Sequence, residues 1–414
     1  MAKNDIEIYQ HQLSNGIRIA HMPMDRGVSH CGLMILAGSR DEQSGEEGLA
    51  HFIEHVIFKG TKKRKAFHIL NRMESVGGEL NAYTTKEETF YYSSFISTYY
   101  ERAIELLADI TFHSTYPEKE MVKEKEVVID EINSYKDTPS DHIFDDFEER
   151  LFAGHALGRS ILGTIDSVKS FRPSDIRTFI KRQYLTDQMV LCSVGNIPFD
   201  RLVKYAEKHL GHIPKRSGEM KRPHFRKTKH FYAETEREGF HSHCLIGNTC
   251  YGSASSKRFA MVLLNNILGG PGMNSRLNMT IREKYGYTYN IDSSYSTYAD
   301  TGLFAVYVTA DRKHLEKSIR LIHSEMKKLA DRPLGTLQLK QAKAQLAGQV
   351  AMARESSSNM LGGLGKSILM NEAFPSMEEV VSKIEGVSAK QIQDVANEVF
   401  DPKKLSTLIY TAKS

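Results

Sequence analysis

Three things are scarce in this chain of 414 residues: cysteine, net charge and long apolar runs. The four cysteines, Cys31, Cys192, Cys244 and Cys250, have no C-x-x-C spacing and are too few to staple a fold. A disulfide framework is excluded, and a reducing compartment fits best. Lysine and arginine outnumber aspartate and glutamate by only four, so neither nucleic acid nor an anionic membrane is indicated as the main partner. No apolar run reaches the roughly eighteen residues that a membrane-spanning helix needs. The stretch from Met1 to Gly16 carries Asn4, Asp5 and Glu7 and lacks an apolar h-region. It reads as neither a secretory signal nor a transit peptide, which makes a bacterial cytoplasm the expected location.

What is present is ordinary for a globular protein, with 40% hydrophobic and 26% charged residues, and the length allows two to four domains. The segment GHIPKRSGEMKRPHFRK, Gly211 to Lys227, is rich in glycine, proline and basic residues and has no apolar periodicity. It reads as a linker near the midpoint. The two flanking halves share an order of elements. Ser29-His30-Cys31 opens a strand-like run, as Ser242-His243-Cys244 does 213 residues later. Glu88 to Ile110 passes from alternating strand into amphipathic helix, as does Thr301 to Ile322. Strands pair locally through tight turns such as Leu13 to Gly16, which favours largely antiparallel sheets packed with helices. The expectation is an α+β protein of two similar domains, 1–211 and 228–414, joined by a linker at 212–227.

Of 17 histidines, His51 and His55 stand at i and i+4 of a segment that reads as a helix, with Ser44 and Glu47 as a capping box and Gly60 as its stop. Their imidazoles share one face and can converge on one ion, with Glu54 beside them. An accidental H-x-x-E-H in such a chain has a probability on the order of a few per cent. The neighbours Phe52, Ile53, Val56, Ile57 and Phe58 make the polar trio costly to bury without a metal or hydrogen-bond partners. A third ligand must come from another element. The helix expected from Pro117 to about Lys136 carries Glu124 and Glu131 seven apart, on one stripe with Val127 and Val128. Spacing alone leaves Glu131 a candidate and no more.

These residues resemble the inverted zinc metallopeptidases that include pitrilysin, insulysin and the mitochondrial processing peptidase. In that family H-x-x-E-H is followed by a glutamate 76 residues beyond the second histidine, with another seven before it; here these are Glu131 and Glu124. The segments His51 to Arg64, Gly77 to Tyr92, Leu157 to Phe171 and Ile267 to Tyr295 look like the family's as well, so the resemblance covers nearly the whole chain. It implies one zinc per chain on His51, His55 and Glu131, with Glu54 as general base and Glu124 orienting a ligand from behind. Asn81 and Ala82 match the family's substrate-side edge strand, and Arg282 and Tyr289 its Arg/Tyr pair, which polarises carbonyl groups and binds the oxyanion. The implied function is an endopeptidase acting on peptides or unfolded segments within the clam-shell chamber of a homodimer. A heterodimeric catalytic subunit and a non-catalytic structural subunit are the alternatives. In the second half VLLNNIL, Val262 to Leu268, replaces the metal motif, and Gln338 and Gln345 fall near the positions of the two glutamates, so no second metal site is expected. Gly269, Gly270 and Gly272 lack the context of a phosphate loop.

Overall fold

The computed structural model describes residues 7–226 and 228–413. Lys227, the last residue of the expected linker, and part of the N-terminal stretch read for a leader lie outside the described residues. By internal contacts the chain forms two units. Unit 1 comprises Met1–Ile132, Arg159–Arg222 and Met352–Ser376; unit 2 comprises Asn133–Gly158, Pro223–Ala351 and Met377–Ser414.

Unit 1 holds a six-stranded sheet of β1 (Tyr9–Gln12), β2 (Arg18–Pro23), β3 (Val28–Ile35), β4 (Glu79–Thr84), β5 (Thr89–Ile96) and β6 (Met189–Gly195), in the order β1-β2-β6-β3-β5-β4. Only β2 and β6 pair in parallel. Its helices are α1 (Leu49–Val56), α2 (Ala66–Glu74), α3 (Tyr100–His113), α4 (Glu118–Asp137), whose last turn passes into unit 2, α6 (Ile165–Ser170), α7 (Pro173–Gln183), α8 (Phe199–Leu210) and α12 (Ser357–Leu369).

Unit 2 has a five-stranded sheet of β7 (Tyr232–Arg237), β8 (Ser242–Cys250), β9 (Asn290–Thr297), β10 (Gly302–Ala310) and β11 (Ser406–Ala412), in the order β7-β11-β8-β10-β9. Here only β7 and β11 are parallel. Around it lie α5 (Pro139–Leu151), α9 (Arg258–Gly269), α10 (Arg312–Asp331), α11 (Thr336–Arg354), whose last residues pass into unit 1, α13 (Met377–Glu385) and α14 (Ala389–Val399). Two largely antiparallel sheets with helices are the expected α+β architecture, and the two sequence halves read as repeats form corresponding elements: β3 and β8, β5–α3 and β10–α10.

The units are not the continuous stretches expected, because each sheet has two faces to cover. β6 and β11 are buried at every position, the mark of strands packed on both sides. In unit 1 the second face is covered by α12, whose Met360, Leu361, Leu364 and Ile368 pack on Ala20, Met34, Val190 and Cys192. In unit 2 it is covered by α5, whose Ile143, Phe147 and Leu151 pack on Leu245, Ala305 and Leu408. Each covering helix thus comes from the other half of the sequence. The change of unit after Arg222 lies inside the expected linker. Arg222 is itself fixed, with two hydrogen bonds to Asp41 at 2.7 and 2.8 Å and one to the Glu87 carbonyl at 2.7 Å.

Candidate metal centre

The helix that carries both histidines is built into the core of unit 1. Leu49, Ala50, Phe52, Ile53 and Val56 are buried, and so is His51, which shares the remaining face with the half-buried Glu54 and His55. The start of α1 differs from the expected capping box. Gly48 is the N-cap, in a left-handed conformation (φ 90°), and Glu42 does the capping, its carboxylate accepting from the N–H groups of Gly48 (3.0 Å) and Ala50 (2.9 Å). Serine and threonine caps are the stronger local signal, but the loop after Leu157 decides the geometry here. A Cβ on Gly48 would lie 2.5 Å from the Leu162 carbonyl oxygen, and Ser167 Oγ bonds the Glu47 carbonyl at 2.6 Å. The helix also ends at Val56, short of Gly60.

On α4, Met121, Glu124, Val128 and Ile132 form the buried stripe. Val127, read as part of it, is half exposed. Glu131 is half-buried and brings Oε2 to 3.5 Å from His55 Nε2 and 3.8 Å from His51 Nε2. The three ligand atoms of His51, His55 and Glu131 all lie within 4.8 Å of one another, the one such cluster among the described residues. Tetrahedral ligands at about 2.0–2.1 Å from zinc stand roughly 3.4 Å apart, so the set fits such an ion.

Glu124 is the more deeply buried of the two glutamates. Its Oε2 is 3.4 Å from His55 Nδ1 and its Oε1 is 2.6 Å from Lys59 Nζ. Burial, and then the neighbouring His55, pull the His51 pKa down to about 4, leaving a neutral imidazole with a free lone pair. Burial acts the same way on His55, but Glu131 and Glu124 together outweigh it and raise its pKa. Glu131 is held below the usual carboxylate range by its hydrogen bond with His55. Burial, with the Glu131 charge adding to it, raises Glu54. Two atoms of the group, Glu54 Oε2 and His51 Nδ1, are buried and make no well-formed hydrogen bond among the described residues; the Thr84 hydroxyl is the donor beside the Glu54 carboxylate. Buried polar atoms left without a partner are the exception in folded proteins.

The other residues singled out in the sequence sit elsewhere. Asn81 and Ala82 lie on β4, one of the two edge strands of the sheet, with Asn81 exposed. Arg282 and Tyr289 belong to unit 2. Arg282 sits in a π-helix, Asn278–Lys284, and Tyr289, 91% exposed, directly precedes β9. The π-helix, rare and often found at functional sites, gave no sequence signal. Lys59 on Glu124 and the Glu42 cap were also missed. The loop at Gly270 and Gly272 follows α9 rather than a strand, in keeping with its rejection as a phosphate loop.

Comparison with known proteins places this geometry in a class. Residues 21–165 match the family model described as insulinase (peptidase family M16), and residues 170–346 match the peptidase M16 inactive domain. The chain is 31% identical over 398 residues to an uncharacterised zinc protease of Bacillus subtilis, YmxG, covering 95% of this chain and 96% of that one. It is 31% identical over 400 residues to an uncharacterised zinc protease of Rickettsia bellii, covering 96% of each. In fold it resembles a protease from Helicobacter pylori, with a TM-score of 0.89 at 20% identity over 98% of this chain and 99% of that one. The likeness to a peptidase M16 inactive domain from Pseudomonas fluorescens has a TM-score of 0.91 at 18% identity over 99% of both. The chain belongs to the insulinase family of peptidases, peptidase family M16, and its curated relatives are named zinc proteases.

Proposed function

We propose that the protein is a zinc-dependent endopeptidase with one zinc per chain, held by His51, His55 and Glu131. The observation that carries this reading is the His–His–Glu cluster with the largely buried Glu54 carboxyl beside it. Zinc, when bound, supplies a positive charge that acidifies water and polarises a peptide carbonyl. His51 and Glu131 bind in the forms their surroundings favour, a neutral imidazole and an ionised carboxylate. Glu124 accepts from His55 Nδ1, which fixes the ring with Nε2 towards Glu131. Glu54 takes the proton of the attacking water and returns it to the departing amine, a task suited to a carboxyl whose pKa burial has raised.

The substrates are peptides or unfolded segments. An extended chain adds to the open edge of β4 at Asn81 and Ala82 by backbone pairing, which gives affinity without demanding a sequence. Arg282 and Tyr289 serve the carbonyl and the oxyanion. The exposure of Tyr289 suits a residue that meets its target in a second copy of the chain, so the working form is a homodimer closing a chamber. Four unpaired cysteines and bacterial relatives support a bacterial cytoplasmic location.

The test is metal content and peptide cleavage measured together. Glu54→Gln is expected to retain zinc and lose cleavage, and His51→Ala to lose both. An active Glu54→Gln protein overturns the mechanism; an equilibrium mass near one chain overturns the dimeric chamber.

A further inference from the structure

A second feature of unit 1 lies apart from the histidines. The end of α3, the Tyr116 turn, α7 and the segment after α8 enclose a cavity of about 270 Å³. Its charged lining is all of one sign: Arg177 and Lys181, one turn apart on α7, and Arg216. No carboxylate lines it, and none of the three cations has an ion-pair partner among the described residues. Like charges brought to one concavity repel, and the cheapest relief is a counter-ion.

Another cleft of unit 1 shows the ordinary alternative. Lys63, Arg64, Arg72 and Arg102 line it, but Arg64 is bound to Asp109 at 2.6 Å and Glu105 at 2.8 Å, and Arg72 to Glu105 at 3.3 Å. There Asp109 and Glu105 take up part of the positive charge, pairing with two of the four cations. The lining of the Arg177 cavity holds three full positive charges and no carboxylate, and the C-terminal end of α3 adds only about half a unit of negative charge.

Two further observations point to an occupant. Thr111 lines the cavity, is 2% exposed, and its Oγ1 is buried without a hydrogen-bond partner among the described residues. Tyr116, also in the lining, is one of two non-glycine residues among those described with left-handed backbone, at φ 52°. An aromatic residue rarely adopts that conformation, and such strain collects at ligand sites. The following Pro117 restricts it further.

We propose that this cavity binds a small phosphate-class anion, free or as the phosphate of a small monoester, with Arg177, Lys181 and Arg216 supplying charge and Thr111 a hydroxyl donor. Guanidinium groups match phosphate oxygens two at a time. The volume is below the ~300–1,000 Å³ typical of pockets for drug-sized ligands, which limits the occupant to a small molecule. Phe112, Ile180 and Tyr116 in the lining offer an apolar wall to the body of a monoester.

Isothermal titration of the full chain with its zinc at low ionic strength tests this, using inorganic phosphate, pyrophosphate and phenyl phosphate. One saturable site per chain is expected, weakened at least about tenfold in Arg177→Ala/Lys181→Ala, whose exposed positions on α7 leave folding intact. Tight binding of phenyl phosphate alone identifies a monoester as the occupant; equal binding of inorganic phosphate identifies the free ion. Thr111→Val separates a ligand role from packing: affinity is expected to fall about fivefold while the melting temperature holds or rises, since the lost hydroxyl had no partner. Absence of saturable binding, or binding that the double variant leaves unchanged and that therefore occurs at the zinc or elsewhere, overturns the proposal.

Discussion

The two units place different chemistry at corresponding points. In unit 1, α1 and α4 bring two imidazoles and a carboxylate together beside Glu54. In unit 2, α9 and α11 line a cavity of about 170 Å³ with Asn266, Gln338, Gln341 and Gln345, joined by Asn274 and Arg276 from the glycine-rich loop. Two of these amides satisfy one another: Asn274 and Gln345 exchange two hydrogen bonds of 3.1 Å. The ionisable set of unit 1 does not, leaving Glu54 Oε2 and His51 Nδ1 without a well-formed hydrogen bond among the described residues. The two units share a scaffold, and among the described residues only unit 1 gathers a His–His–Glu set.

The largest expected effect breaks this contrast at its chemical end. Glu54→Gln makes the reactive position of unit 1 an amide, like those of unit 2, while leaving the ligand set untouched. Peptide cleavage should fall by roughly 10²–10⁴-fold, the usual contribution of a general base, with zinc content still one per chain by metal analysis. Next in size is Glu124→Ala, which removes the support behind His55. Zinc affinity measured by competition with a chelator should weaken by about 10–100-fold. Unchanged affinity would make Glu124 a partner of Lys59 alone.

Stability of the helix that carries His51 and His55 comes third. Gly48→Ala asks a side chain to adopt a left-handed backbone against the Leu162 carbonyl, and should lower unfolding free energy by about 2 kcal/mol or more. The loss should appear first as local opening of α1 in hydrogen exchange, with zinc released before unit 2 unfolds. Simultaneous melting of both units would show that they do not unfold separately.

Much of this was legible in the sequence because it is periodic or closely spaced. His51, Glu54 and His55 belong to one helical turn, and Glu124 and Glu131 to one helix face, so short-range geometry brought each set together. That Glu131 meets the histidines depended on the family's spacing, since no local rule relates residues 76 apart. The misses have the same cause. Glu42 caps α1 from six and eight residues away, and α5 and α12 serve sheets encoded in the other half of the sequence. Propensity reports what a residue does to its neighbours in the chain, and these roles were set by packing. Val127 was misassigned because a hydrophobic residue beside a stripe looks like part of it, and only Val128 faces the core.

The smallest expected effect tests the quiet side of the comparison. Gln345→Ala removes the amide pair with Asn274 from the unit 2 cavity. Both hydrogen bonds are exposed, so water can replace the lost partner and the net change should be no more than about 1 kcal/mol. For a unit of this size that is a fall in melting temperature of roughly 2–4 °C at most, and zinc content should not change. A self-satisfied polar site tolerates such loss because nothing there holds an ion in place. A drop in bound zinc on Gln345→Ala would mean that unit 2 contributes to the metal centre, and the division of labour between the units would have to be redrawn.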